Sequence, residues 1–71
     1  MVDGEKIRRL REASGMTMDE LAQEVGLSFQ MMSYIERNLR DTTAEKLKRI
    51  ADKLGVKVDE LYTDSAQAQN N

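Results

Sequence analysis

Seventy-one residues without cysteine, histidine, tryptophan or proline allow one small domain and exclude disulfide staples, the usual zinc sites and histidine-based acid–base chemistry. Eleven lysines and arginines against thirteen aspartates and glutamates give a net charge of −2, and residues 1–40 and 41–71 each carry −1, so any positive footprint for a nucleic acid must come from placement and not from bulk charge. No apolar run approaches the ~20 residues of a membrane span, and the amino terminus MVDGEKIRR lacks the apolar core of a signal peptide, which predicts a cytoplasmic protein with no membrane partner.

Residues 3–14 are predicted to form the first helix, with Asp3 as N-cap, Ile7 and Leu10 on the buried side and Gly15 at its end. Thr17 followed three residues later by Glu20 is a capping box, and Met16 can staple onto Leu21, so a second helix starts at Thr17. Leu21, Ala22 and Val25 share one of its faces. Gly26 supplies the positive φ of a helix end, and Ser28 caps a third helix, residues 28–37, only two positions later. There Met32 and Ile35 face inward, with Leu27 stapling onto Met32, and Ser28, Phe29, Gln30, Met31, Ser33, Tyr34 and Arg37 face outward. So short a connection forces a steep crossing, and small Ala22 at the crossing lets the backbones approach. Asn38 tolerates the positive φ that ends the third helix. Thr42 or Thr43 caps a fourth helix whose stripe is Leu47, Ile50, Ala51 and Leu54, ended by Gly55; Glu45 suits its N-terminal dipole. VKVDELY is predicted as a fifth, short helix with a weak start at Lys57, and TDSAQAQNN, residues 63–71, as a disordered polar tail. The expectation is a compact all-α domain of five helices over residues 1–62, with no repeat and no second domain.

The spacing of Leu21, Ala22, Gly26, Met32 and Ile35, followed by Glu36, resembles the helix-turn-helix of the phage Cro/C1 repressor family, also called the xenobiotic-response-element or HTH_3 family. The flanking phrases IRRLREASGMT and LKRIADKLGVKVDELY extend the likeness from Ile7 to Tyr62. It implies a lambda-repressor-like fold with the motif in helices two and three, and a small dimeric repressor whose third helix reads the major groove of double-stranded DNA at a palindromic operator. Carried over residue by residue, it implies base readout by Phe29, Gln30, Ser33 and Tyr34, and phosphate contacts from Thr17, Ser28, Arg37, Arg40 and Lys46. Gln30 is the best base reader, because an amide can both donate to and accept from adenine. The resemblance further implies a structural ion pair between Arg11 and Glu36, and a weak homodimer through Val58, Leu61 and Tyr62. The sequence departs from the family pattern at Met18, where glutamine is common, at Asn38, where glycine is, and at Lys57, where serine or threonine is.

A second reading uses the same fold as a protein-interaction module, antitoxin-like or regulator-binding, with Phe29 and Met31 as an apolar patch against a protein partner. An enzyme is not expected. The carboxylate pairs Asp19–Glu20 and Asp59–Glu60 are adjacent on helices, so their side chains point about 100° apart and read as complements to the N-terminal dipole. No cofactor or metal is called for.

Overall fold

The computed structural model describes residues 1–63. Four α-helices follow one another, α1 Gly4–Ala13, α2 Met18–Val25, α3 Phe29–Glu36 and α4 Ala44–Leu54, before a single 3-10 turn, Val58–Leu61. Each α-helix starts at a side-chain oxygen that accepts the third amide of the first turn: Asp3 from Lys6 at 3.1 Å, Thr17 from Glu20 at 3.1 Å, Ser28 from Met31 at 3.0 Å and Thr43 from Lys46 at 3.2 Å. Glu20 Oε1 accepts the Thr17 amide at 2.8 Å, closing the capping box. Of the two candidate threonines before α4, Thr43 is the cap.

The fifth helix is where the structure departs from expectation. Lys57 has no side-chain oxygen to offer as a cap, and the segment makes only one 3-10 turn before Tyr62 leaves in extended geometry. Four residues are too few to repay the nucleation of an α-helix. Tyr62 instead pairs with Val2 in an isolated antiparallel bridge, flanked by the Asp3 amide donating to the Leu61 carbonyl at 2.7 Å and the Thr63 amide to the Met1 carbonyl at 3.0 Å. Thr63, expected to open the tail, is thus tied to the amino terminus; the rest of the expected tail, residues 64–71, lies outside the described residues.

The core is one residue set per helix face. Ile7 from α1, Leu21, Ala22 and Val25 from α2, Met32 and Ile35 from α3, Leu47, Ile50 and Ala51 from α4, with Leu61 and Val2, are all buried. α2 packs on α3 and α4, and α1 on α3, so α3 is held on two sides. Gly26 at φ +78° makes the turn between α2 and α3, and Asn38 at φ +62° makes the one after α3.

Two contacts from the amino terminus brace the loop behind α3. The Gly4 amide donates to Asn38 Oδ1 at 2.9 Å, which satisfies one of the orphan donors of the first turn of α1, and the Val2 amide donates to Asp41 Oδ1 at 3.2 Å. Gly4 itself lies against the end of α3: a β-carbon there would overlap the Ile35 carbonyl oxygen and sit 2.9 Å from the Glu36 carbonyl carbon. Nothing local in the sequence marks that glycine, because the close approach is made by a segment more than thirty residues away.

Candidate nucleic-acid interface

The base of α3 is fixed by charge. Arg11 and Glu36 are both buried, at 7% and 4% exposure. The guanidinium meets the carboxylate in a two-pronged fork, Nε to Oε2 at 2.7 Å and Nη2 to Oε1 at 3.0 Å, while Nη1 donates to the Met16 carbonyl at 2.8 Å. The hydrogen bond that Arg11 donates to Glu36 raises the proton affinity of the guanidinium above its ordinary value against the opposing effect of burial. The fork joins α1 to the last residue of α3, fixing that helix against the body of the domain.

Glu36 is the only acid between Leu27 and Arg40, so once it is buried the exposed face of α3 carries no negative side chain. Phe29 is 55% exposed, Gln30 is exposed, Ser33 and Tyr34 are half-buried, and Met31 is partly buried against the core. The Gln30 side-chain nitrogen donates to Tyr34 Oη at 2.9 Å. The guanidinium carbons of Arg37 and Arg40 lie 5.5 and 6.0 Å from the centre of the Tyr34 ring, within cation–π range. Arg37 Nε also donates to the Ser33 carbonyl at 3.4 Å. Ser28, Gln30, Met31, Tyr34 and Arg40 line one shallow open depression on this face.

The basic residues divide into two sets. Arg8, Arg9, Lys48 and Arg49 pair with acids one helical turn away on their own helices, and Lys53 reaches Glu24 at 3.2 Å. Among the described residues, Lys6 and Lys57 have no carboxylate within 4.0 Å, and neither do the three cations expected at the site, Arg37, Arg40 and Lys46. The three do not form one cluster. Arg37 and Arg40 gather over Tyr34 at the C-terminal end of α3, while the Lys46 ammonium lies over the α2–α3 turn, 3.1 Å from where a β-carbon on Gly26 would be. Cations therefore flank α3 at both ends.

The remaining expected site residues fall in different places. The hydroxyl oxygens of Thr17 and Ser28 accept backbone amides as caps, which leaves each hydroxyl hydrogen free to donate outward. Leu61, expected at a dimer contact, is fully buried in the core of its own chain; Val58 is half-buried and Tyr62 is 36% exposed. The Gln30–Tyr34–arginine arrangement was not anticipated, although residues 30, 34 and 37 stand at the i, i+4 and i+3 spacings that bring helical side chains together.

Comparison with known proteins agrees with this geometry. The helix-turn-helix family model, HTH_3, matches residues 7–61. An uncharacterised HTH-type transcriptional regulator of Mycobacterium tuberculosis is 39% identical over 59 residues, covering 83% of this chain and 42% of the relative, so the chain spans about two-fifths of that protein's length. Among solved structures, the P22 c2 repressor in complex with a synthetic operator superposes with a TM-score of 0.82 at 27% identity, covering 89% of this chain and 96% of that one. A complex of the SinR and SinI proteins gives 0.81 at 29% identity, covering 96% and 66%. A capped two-helix motif with a glycine turn, a helix three locked at its base by a buried ion pair, and a family match over residues 7–61 lead to one assignment: the chain belongs to the Cro/C1-type helix-turn-helix family.

Proposed function

We propose that this chain is a sequence-specific double-stranded DNA-binding transcriptional regulator that presents α3 to the major groove. The observation that carries the reading is the charge pattern around that helix: an exposed face without an acid, flanked by Arg37, Arg40 and Lys46, none of them held by a carboxylate among the described residues. A net charge of −2 does not oppose it, because acids such as Asp3 and Glu20 cap helices and others such as Glu12 and Asp52 pair with cations away from α3. In this reading Gln30 meets a base edge, Phe29 meets a thymine methyl, and Ser33 and Tyr34 supply hydroxyls nearby. Arg37, Arg40 and Lys46, with the capping hydroxyls of Thr17 and Ser28, meet phosphates. Gln30→Ala tests it: affinity should fall by ~1–3 kcal/mol on a duplex selected by the protein and hardly at all on a scrambled one, since a bidentate base contact carries discrimination. Equal affinity for both duplexes before and after the substitution would remove Gln30 from base reading.

Two subunits on a two-fold operator would double the few base pairs that one helix can read, and Tyr62 with Val58 offers the exposed apolar surface for a weak dimer. A light-scattering mass that stays monomeric at high concentration, with and without DNA, would exclude that assembly. The exposure of Phe29 favours a second reading, a protein-binding face on the same helix. Phe29→Ala separates the two: a DNA reader loses affinity modestly and only on the selected duplex, whereas an interaction module keeps its DNA behaviour and loses its protein partner by about 2 kcal/mol or more.

A further inference from the structure

We propose that Tyr34 is a positioning residue that presents three DNA-facing side chains at once, Gln30 through its hydroxyl and Arg37 and Arg40 through its ring; the inference rests on the reading of α3 as the recognition helix. Tyr34 is half-buried, with only two side-chain torsions to fix, whereas the side chains it touches are long, exposed and rich in rotamers. Fixing one such side chain only on binding costs about 2- to 10-fold in affinity, so holding it beforehand recovers that factor.

The geometry divides the residue into two working parts. A primary amide has two N–H groups. With one donated to Tyr34 Oη, Gln30 retains the other N–H and Oε1 as the donor–acceptor edge that a purine such as adenine requires. The ring serves the cations. Arg37 and Arg40 have no carboxylate partner among the described residues, yet both guanidinium groups lie over one aromatic ring, which attracts them without neutralising them. Arg37 reaches it from one turn further along the helix, and Arg40 because the positive φ of Asn38 turns the chain back after α3. A carboxylate in that place would cancel the charge that a phosphate needs. An aromatic ring orients the two arginines and leaves their charge available.

The hydroxyl should therefore govern sequence preference, and the ring should govern phosphate affinity. The test compares wild type, Tyr34→Phe and Tyr34→Leu on a duplex selected by the wild type from a random pool and on a scrambled duplex of the same composition, across a salt series. Tyr34→Phe should bind the selected duplex about 2- to 10-fold more weakly, with scrambled-duplex affinity, salt slope and melting temperature unchanged. Tyr34→Leu should weaken both duplexes and make the salt slope shallower. Without DNA, the Gln30 side-chain amide resonances should move in Tyr34→Phe. Should wild type discriminate between the duplexes while Tyr34→Phe discriminates equally well with unmoved Gln30 resonances, Tyr34 does not position Gln30 and the proposal fails alone. Should Tyr34→Leu keep the wild-type slope, the ring does not present the arginines. A wild type that neither discriminates nor responds to salt would overturn the recognition-helix reading, and this inference with it.

Discussion

Arg11 and Glu36 are the only charged side chains buried among the described residues, and the cost of desolvating them is offset only while both are present. Arg11→Met leaves a carboxylate buried without its fork and should destabilise by about 3–5 kcal/mol, and Glu36→Gln should cost less because an amide can still accept from the guanidinium. A double-mutant cycle followed by thermal melting should show strong coupling between the two sites; additive losses would mean that they act independently. Gly4 is constrained by shape and not by charge. Gly4→Ala would drive a β-carbon into the backbone of residues 35 and 36, and the shift needed should cost about 1–3 kcal/mol, read as a lower melting temperature. An unchanged melting curve would show that α1 slides away from α3 without penalty. The ion pair was legible because the family likeness pointed to it. Gly4 was not, since its reason lies in a packing contact that no local pattern encodes.

At the scale of elements, α2 and α3 depend on how closely they cross, and Ala22, fully buried on α2, faces the interior next to Leu21 and Val25. Ala22→Leu should destabilise by about 1–3 kcal/mol through overpacking, measured by denaturant or heat; wild-type stability would place the crossing elsewhere. Helix starts were readable from the sequence because Asp3, Thr17, Ser28 and Thr43 each carry a short oxygen that satisfies a specific amide. The end of the chain was harder for the same physical reason. Lys57 lacks such an oxygen, and the apolar residues Val56, Val58 and Leu61 fit a helix turn or a packed loop equally well, so their pattern could not distinguish a 3-10 turn from a short α-helix. The bridge between Val2 and Tyr62 is non-local and left no periodic trace. Beside it Leu61 lies fully buried in the core of its own chain, with the Asp3 amide donating to its carbonyl.

For the molecule as a whole, function turns on where a nearly balanced set of charges is placed. Four cations, Arg8, Arg9, Lys48 and Arg49, are paired with acids along their own helices, where exposed pairs contribute little to stability but do neutralise those faces. Arg37, Arg40 and Lys46, which flank α3, have no such partner among the described residues. The sequence showed the charges but not this partition, because pairing depends on which helical faces meet solvent. Lys46 illustrates the difference: close to Arg40 in sequence, it lies instead over the α2–α3 turn. The most direct test is the affinity of the purified protein for random-sequence duplex DNA across a salt series. If Arg37, Arg40 and Lys46 each neutralise one phosphate, log K should fall against log salt with a slope near −2.7 per protomer, at about −0.9 for each contact, and Arg37→Ala should make it shallower by about 0.9. A slope indistinguishable from zero, or no binding even at low salt, would contradict the assignment of α3 and its flanking cations to DNA.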